Sequence, residues 1–571
     1  MDTGFPRPQG WPADHTRHLG RGALAGLAAL ALAGIALVPG AVAAPHAAAA
    51  SCPWVGSTAP ISQRVSELLA QMTVPDEIAL VHGTSGSYVG NVAANPALCI
   101  PALSLQDGPA GVGDGMTGVT QLPAPVAATS TWDTSLEQQY GQVIGAEDAG
   151  KGVNIDLGPT INMVRDPRWG RAFESMGEDP YLAGQMGAAD IEGVQSQDVM
   201  AMVKHYAVYN QETNRNSPAD NAIVDPRVEQ EIYLPAFNTA VNQGGAAAVM
   251  CAYSTINGDP ACDDPYTLNT VLKGQFGFNG FVTSDWGATK DGVQSAADGL
   301  DMQMPDDSTF GAPLETAVEN GTVPKSVLDG MVTRILTEMF RFGIFDNPAT
   351  GSPGATVTTP AHVATAQQVA TEGTVLLKNA GNALPLDPAK AQSIAIIGDD
   401  ATGDATTDGG GSAGVDASSL STPLQAISDR IAPASGLKIT ASAYTATNST
   451  GLETTSDTGG GQDVGWINNG SWLEYTGVNF GHGATSVTAR IASPLAQSAT
   501  NGEIQFRLDS PTATPFATVP VTDTGGWQNW VTTAAVPTSP GPTGTHTLYV
   551  TFSSAQSANF VNVNGFTFSG G

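Results

Sequence analysis

One aspartate stands where a buried strand would deliver it to a cleft. Residues 280–287 run from apolar and β-branched side chains into Asp285 and Trp286. An apolar run that ends in polar residues is typical of a buried strand whose C-terminal end opens on a site. An aspartate at a strand end is more often a turn or capping residue than a catalytic one. A catalytic role for Asp285 therefore requires other reactive side chains at the same edge.

Other short apolar runs also end in side chains that could take part in chemistry. Helical patterns, such as those at 226–242 and 327–342, separate these runs. Strands alternating with helices over roughly 250–300 residues are typical of a parallel α/β fold, and of a (β/α)8 barrel in particular. We therefore predict a TIM-type barrel over residues 51–347, with its chemistry at the C-terminal strand ends. The predicted strands are 102–107, 153–157, 201–205, 247–253, 280–285 and 299–305.

The side chains at these strand ends suit a sugar ring. Asp107 can accept hydrogen bonds from two hydroxyls, while Tyr253 and Trp286 offer flat apolar faces to the C–H surface of the ring. Each residue also has a structural explanation, such as a salt-bridged turn at 165–171. Their joint placement favours a sugar site around Asp285. The donors to sugar hydroxyl oxygens would be Arg171, Lys204 and His205.

A series of short motifs links these residues along the chain. They include Asp-Gly-Pro-Ala-Gly at 107–111, Gly-Pro at 158–159, Arg-Asp-Pro-Arg-Trp-Gly-Arg at 165–171, Glu-Ser at 174–175, Gly-Glu-Asp-Pro at 177–180, Lys-His-Tyr at 204–206, Tyr-Ser-Thr-Ile-Asn-Gly at 253–258, Ser-Asp-Trp at 284–286 and Gly-Leu-Asp-Met-Gln-Met-Pro at 299–305. In this order they resemble glycoside hydrolase family 3, the secreted β-glucosidase and β-xylosidase group. The resemblance covers the predicted barrel almost end to end.

The resemblance implies a role for each candidate. Asp285 would be the nucleophile, and no cofactor would be required for catalysis. The family's N-acetylglucosaminidase branch is disfavoured, because Ala-Val-Tyr-Asn at 207–210 replaces its Gly-His-Gly loop. Cationic neighbours would keep Asp285 ionised. The residues expected around the first sugar subsite are Asp107, Arg171, Lys204, His205, Tyr253 and Trp286.

The N-terminus and the charge indicate where the protein works. Arg17 and Arg21 precede an apolar run at 23–38 and then small residues, which predicts a secretory signal peptide over 1–50 and an extracellular protein. A membrane anchor is the alternative, but the run is shorter than the roughly 20 residues of a spanning helix. The 53 acidic and 22 basic residues give a net charge of −31, so nucleic acid and anionic membranes are poor partners.

Four cysteines in a secreted chain predict two disulfides. Of the three possible pairings, Cys52–Cys99 with Cys251–Cys262 closes the shortest loops and is preferred. The cysteine and histidine spacing does not match a structural zinc site.

Residues 348–435 resemble the first part of the family's C-terminal α/β sandwich. A Pro-, Gly- and Thr-rich linker precedes a helix at 361–372, a predicted buried strand at 393–398 and a glycine-rich loop at 408–414. The composition changes after residue 431, before the region where the family's acid/base glutamate would stand. We therefore expect that residue to be missing from a chain cut short inside the sandwich.

Residues 436–571 carry short alternating strands separated by turn residues, as in a jelly-roll β-sandwich. The motifs at 457–467, 525–530 and 562–564 resemble a family 6 carbohydrate-binding module. The resemblance implies that Trp466, Trp527 and Asn562 bind sugar. Glu453 would be a ligand of a structural calcium ion, although Thr-Ala-Ser at 440–442 replaces the usual acidic pair. No metal site is assigned.

The resemblance, together with the predicted signal peptide, implies a secreted, retaining, exo-acting β-glycosidase, of β-glucosidase type, that acts at the non-reducing ends of plant-type oligosaccharides. β-Xylosides or α-L-arabinosides are the alternative substrates. A different reading is a carbohydrate-binding protein that has lost catalysis. A metal-dependent barrel hydrolase is disfavoured because the sequence offers no cluster of His and Asp ligands.

Overall fold

The N-terminal region is built on a curled, six-stranded sheet. In the computed structural model, which describes residues 52–570 except 387–393, 403–406, 408, 431–435, 482 and 496–500, the first two strands are antiparallel and the rest are parallel. Their order in the sheet follows the chain. The strands are Gly90–Val92, Leu103–Asp107, Ile155–Leu157, Met200–Tyr206, Ala248–Cys251 and Phe281–Ser284.

Five of the predicted strands are confirmed, and the sixth is wrong as a strand. Residues 299–305 contribute only single bridges, from Met302 to Thr283 and from Gln303 to His82. These bridges continue the curl of the sheet beyond Phe281–Ser284, but a complete eight-stranded barrel is not confirmed. The parallel strands are buried throughout, as expected for a sheet covered by helices.

Helices connect the strands, and short polar side chains begin them. Asp133 and Asp179 each accept hydrogen bonds from two backbone N–H groups in the first turn of a helix. The helices are Ile61–Leu69, Val74–Ile78, Pro125–Thr129, Thr134–Lys151, Pro180–Gln195, Pro226–Val228, Pro235–Asn242, Gly292–Asp298, Ala312–Glu319 and Lys325–Arg341, with π-helical segments Glu229–Tyr233 and Tyr266–Gln275.

The helix predicted over 226–242 is interrupted. A short α-helical turn gives way to the π-helical segment Glu229–Tyr233, and regular helix resumes at Pro235. Proline has no N–H and clashes with the preceding turn, so the ladder of hydrogen bonds cannot pass through Pro235 unchanged.

Both predicted disulfides are confirmed, and they lie in the sheet region. Cys52–Cys99 ties the chain start of this region to the turn before the Leu103–Asp107 strand. Cys251–Cys262 links the end of the Ala248–Cys251 strand to the loop that follows it.

Four carboxyl groups are buried between helices Thr134–Lys151 and Pro180–Gln195 and the sheet. Burial raises the pKa of each of them. Within the described ranges, no three His, Cys, Asp or Glu side chains are arranged to hold a metal ion. Burial thus favours the neutral form of each of these acids. The four acids are Glu137, Asp148, Asp156 and Asp190.

Residues 348–435 contain less regular structure than expected. A helix spans Pro360–Gly373 and another spans Pro423–Arg430. The buried strand predicted at 393–398 is wrong: residues 394–397 form no strand, and Ile397 is 92% exposed. No strand in the described part of the chain pairs with this stretch, and Ile394 and Ile397 are exposed. The assignment of this region to a partial sandwich domain stays a prediction.

The C-terminal region is a β-sandwich of two antiparallel sheets, as predicted. Phenylalanines from both sheets, including Phe506, Phe566 and Phe568, meet in its core. The motif at 525–530 lies in a loop, and the short strand Val531–Thr532 follows it. One sheet contains Leu437–Thr440, Gly451–Thr454, Gln462–Ile467, Ser486–Ala492, Val531–Thr532, Val536–Pro537 and Val561–Ser569, and the other contains Ala446–Thr447, Trp472–Asn479, Glu503–Leu508, Ala517–Pro520 and Thr545–Ser553.

The predicted signal peptide at 1–50 lies outside the described residues. Across the part of the chain that the structure describes, no helix combines the length and the apolar character that crossing a bilayer requires.

Candidate functional site

A cavity of about 400 Å³ opens at the C-terminal ends of the parallel strands. Its volume falls within the range of small-molecule sites. The structure brings all seven barrel candidates together around it, each from a strand end or the loop that follows. They are Asp107, Arg171, Lys204, His205, Tyr253, Asp285 and Trp286.

Asp285 has one oxygen fixed and one oxygen free. Its Oδ1 accepts a hydrogen bond of 2.7 Å from the backbone N–H of Trp286. Oδ2 accepts no hydrogen bond of regular geometry from a described donor. The hydroxyl of Tyr253 lies close enough to lower the pKa of the carboxyl, and His205 Nε2 is 3.6 Å from Oδ2. The carboxylate is 6% exposed. A held oxygen beside a free one is the arrangement that an attacking carboxylate needs.

The ionisation of Asp285 is a balance between burial and cations. Burial raises the pKa of this carboxyl, while Arg171, the N–H of Trp286 and Lys204 oppose the rise. His205 does not contribute a charge. Burial, followed by Arg171, lowers the pKa of its imidazole well below the usual range. Arg171 Nη2 lies 3.2 Å from His205 Nε2, and because arginine only donates, Nε2 is the acceptor.

Asp107 and Lys204 form a buried ion pair on neighbouring parts of the sheet. Lys204 Nζ donates to Asp107 Oδ1 at 3.2 Å. Both residues line the cavity, and Asp114 also interacts with the carboxylate of Asp107. Such a pair can hold two adjacent hydroxyl groups of one sugar ring.

Aromatic side chains form one wall of the cavity. Tyr253 Oη donates to the carbonyl oxygen of Trp286 at 3.1 Å, and Trp286 Nε1 donates to Val89 at 3.3 Å. These bonds fix the orientation of both rings. The guanidinium of Arg215 lies 4.8 Å from the centre of the Tyr253 ring.

Several cavity residues were not predicted from the sequence. Glu212 accepts hydrogen bonds from Trp169 at 2.8 Å, Tyr209 at 2.6 Å and Arg215 at 3.2 Å. In the sequence, Glu212 follows the Lys-His pair at 204–205 by a few residues and precedes Arg215 by three, and this proximity could have marked it as a cavity residue. The others lining the cavity are Val89, Gly170, Phe173, Glu174, Met250 and the segment 409–412.

The segment 409–412 reaches the cavity from the region assigned to the second domain. Ser412 Oγ accepts a hydrogen bond of 3.0 Å from Arg171. A side chain on Gly409 would lie 2.2 Å from the ring of Phe173, so only glycine fits there. The glycine run was visible in the sequence, but its partner on the barrel was not.

The three candidates of the C-terminal sandwich lie close together. Trp466 and Trp527 are 50% and 40% exposed, whereas Asn562 is buried. Asn562 Nδ2 donates to Trp527 at 3.1 Å and to Glu453 Oε1 at 2.5 Å. Glu453 therefore belongs to this cleft, while its predicted role as a calcium ligand stays a prediction. Gln528 Nε2 donates to the same Glu453 oxygen at 3.2 Å.

A local irregularity turns Trp466 outward. Its φ of 55° lies in the left-handed region, and the pairing of Gln462–Ile467 with Val561–Ser569 shifts register between Val464 and Ile467. Bulges of this kind redirect a side chain at a functional edge of a sheet. Trp466 therefore points away from the sandwich core.

An α/β domain with a carboxylate-lined, sugar-sized cavity, joined to a β-sandwich with an exposed tryptophan cleft, defines a carbohydrate-active protein. Residues 84–338 match the glycosyl hydrolase family 3 N terminal domain, and residues 440–570 match the carbohydrate binding module of family 6. The chain therefore contains a domain of each of these two families.

Similar proteins carry β-glucosidase names. A probable β-glucosidase L of Emericella nidulans is 41% identical over 353 residues, which are 58% of this chain and 47% of that relative. The chain thus spans about half the length of the curated relatives it matches. Among solved structures, the β-D-glucoside glucohydrolase of Trichoderma reesei has a TM-score of 0.60, 36% identity, and coverage of 67% of this chain and 56% of its own.

A second solved structure covers more of the chain. DesR, a β-glucosidase from Streptomyces venezuelae solved in complex with D-glucose, has a TM-score of 0.59 and 31% identity. The matched region spans 88% of this chain and 63% of the DesR chain.

Proposed function

We propose that this chain is a secreted, retaining, exo-acting β-glycosidase with Asp285 as its nucleophile and β-glucosides of plant-type oligosaccharides as its substrates. The observation that carries the proposal is the free Oδ2 of Asp285, set in a sugar-sized cavity beside the Asp107–Lys204 pair. The names of similar proteins support glucosides over the alternatives, β-xylosides and α-L-arabinosides.

In the first step, Asp285 Oδ2 attacks the anomeric carbon of the sugar. The bond from that carbon to the leaving oxygen breaks, and its electron pair stays on the leaving oxygen. In the second step, water attacks the same carbon of the glycosyl ester and passes a proton to solvent, while the bond to the carboxylate breaks and releases Asp285. Two displacements at one carbon leave the sugar with its original anomeric configuration. Asp107, Lys204 and Arg171 hold the hydroxyls that position the ring.

Protonation of the leaving group has no obvious source among the described cavity residues. Glu212 already accepts from three donors, and Glu174 accepts from Arg171 at 2.6 Å and from Thr160 at 3.1 Å. We therefore expect this chain to cleave only substrates with good leaving groups at a measurable rate, because missing acid catalysis costs typically ~10²–10⁴-fold.

The test uses a dinitrophenyl β-glucoside, whose leaving group needs little protonation. The expected result is a burst of dinitrophenolate close to one equivalent per chain, with a glycosyl adduct on the peptide containing Asp285. Asp285→Asn should abolish both, while Glu212→Gln should leave the adduct in place. The corresponding xyloside and arabinoside rank the substrates by burst rate.

The occupied glutamates also favour a second candidate function, that of a sugar-binding protein without catalysis. A chain of that kind would bind glucose through Asp107 and Lys204 yet give no burst and no adduct. The same experiment therefore separates the two functions.

We propose that the β-sandwich holds the chain on polysaccharide. A sugar ring would stack against Trp466 and Trp527 while Asn562 and Glu453 hold its hydroxyls. Retention on insoluble glucan or xylan should be lost in Trp466→Ala, with the aryl-glucoside burst unchanged.

A further inference from the structure

A second cavity, of about 490 Å³, shares a chain segment with the catalytic cavity. Residues 211–215 contribute side chains to both cavities. Glu212 and Arg215 face the catalytic cavity, whereas Gln211, Thr213 and Asn214 line the second cavity. None of the candidates from the sequence lies in it.

The walls of the second cavity are rich in neutral hydrogen-bonding groups. Their amides can each donate and accept, as a ligand with many hydroxyls requires. The two charged groups, Arg165 and Asp220, have opposite signs, so the walls favour neither an anion nor a cation. The four amide side chains are Asn210, Gln211, Asn214 and Asn221.

Asp220 provides the clearest sign of a ligand. Its side chain is 5% exposed and lines the cavity. Oδ1 accepts a hydrogen bond from the amide of Gln211, but no donor among the described residues reaches Oδ2. Burial raises the pKa of this carboxyl. A buried acceptor without a donor is costly, and a ligand hydroxyl would supply the missing bond.

An aromatic ring lies beside these polar groups. Arg165 Nη1 donates to Tyr233 Oη at 2.7 Å, and its guanidinium carbon lies 5.9 Å from the ring centre. The bond holds the ring of Tyr233 at the cavity wall. An aromatic face next to convergent amides and a carboxylate suits the alternating C–H and O–H surface of a sugar.

We propose that the second cavity binds a neutral mono- or disaccharide, with the free oxygen of Asp220 accepting a sugar hydroxyl. This site is separate from the catalytic cavity and from the Trp466 cleft. It does not depend on hydrolysis, because it concerns binding alone.

The test measures glucose binding by calorimetry in the full chain. The starting variant carries Asp107→Asn with Lys204→Met, which avoids a buried unpaired charge, and Trp466→Ala with Trp527→Ala, so that the two other sugar sites are removed. Into it we place Ala219→Trp, which fills the second cavity from an exposed lining position. The matched control is Ala94→Trp, the same change at an exposed alanine outside both cavities. Melting temperatures verify that both chains fold alike.

The expected result is saturable glucose binding at one site in the starting variant and in the Ala94→Trp control, with at least tenfold weaker binding in Ala219→Trp. Asp220→Asn, which keeps the shape of the side chain but replaces an acceptor oxygen, should weaken binding at least fivefold. The proposal is overturned if the starting variant binds no glucose, or if Ala219→Trp binds as well as its control. Neither result bears on Asp285, whose test is the aryl burst of the unmodified chain.

Discussion

The left-handed backbone at Trp466 makes a prediction that two matched pairs of variants can check. A residue other than glycine pays roughly 1–2 kcal/mol in that region, whereas in ordinary backbone glycine is worse than alanine by about 0.5–1 kcal/mol. Trp466 has a φ of 55°, and Trp527 is not among the described residues with positive φ. Glycine should therefore be more stable than alanine at 466, by about 0.5–1 kcal/mol, and less stable at 527.

Comparing glycine with alanine at each position removes the loss of the indole from the result. The difference between the two comparisons leaves the backbone strain alone, roughly 1–2 kcal/mol. For a module of this size the strain corresponds to a difference of about 4–8 °C in melting temperature. The glycine and alanine variants at both positions should all lose binding to oligosaccharide. At position 466, glycine and alanine should therefore differ in stability but not in binding.

The assay is calorimetric unfolding of the full chain, following the transition of the β-sandwich. That transition is identified as the one whose upward shift with oligosaccharide occurs in the unmodified protein and disappears in Trp466→Ala. If glycine and alanine rank in the same order at 466 and 527, the outward turn of Trp466 does not depend on a left-handed residue, and the reasoning is refuted.

Three further predictions concern the charged groups of the barrel region. Asp285 must be ionised to attack and burial raises its pKa, so the burst rate should rise with pH around a pKa above that of an ordinary aspartate. Arg171→Met removes the largest effect that opposes burial and should move this rise to higher pH in stopped-flow measurements. A pH profile that does not move would contradict this account of the Asp285 pKa. Lys204→Met leaves Asp107 buried without its partner and should lower the free energy of unfolding in urea by roughly 3–5 kcal/mol. Adding Asp107→Asn should restore much of this loss. A double variant that is no more stable than Lys204→Met would show that the ion pair does not explain the loss. Burial raises the pKa of Asp156 to about 7, so between about pH 4 and 7 the folded chain keeps a proton that the unfolded chain has lost. The free energy of unfolding should therefore fall as pH rises from about 4 to 7, and Asp156→Asn should reduce this slope by up to about 1.4 kcal/mol per pH unit. Equal slopes in the two proteins would contradict the raised pKa of Asp156.

The sequence was informative wherever a local pattern decides the structure. Apolar runs that end in polar residues predicted five strands of the sheet, and their shared edge predicted that Asp107, Lys204 and Asp285 would meet. Cysteine spacing predicted both disulfides. In each case the deciding interactions lie within the strand or across a short loop.

The sequence was less informative where distant segments decide. Residues 299–305 look like a strand, but pairing limited to single bridges does not make one. Ser412 reaches the cavity through a hydrogen bond to a residue 241 positions earlier, which no local pattern reveals. Asp220 has an ordinary sequence context, and only the fold shows that one of its oxygens is buried without a donor.

The glycine loop at 409–412 has a consequence for how specificity can change. Ser412 of this loop lines the cavity and accepts a hydrogen bond from Arg171, whereas the proposed nucleophile Asp285 follows the strand Phe281–Ser284. Mutations that lengthen or reshape this loop can alter which sugars fit without disturbing the strands that hold Asp285. Substitutions that change which sugars fit the cavity can therefore accumulate in the loop independently of the residues around Asp285.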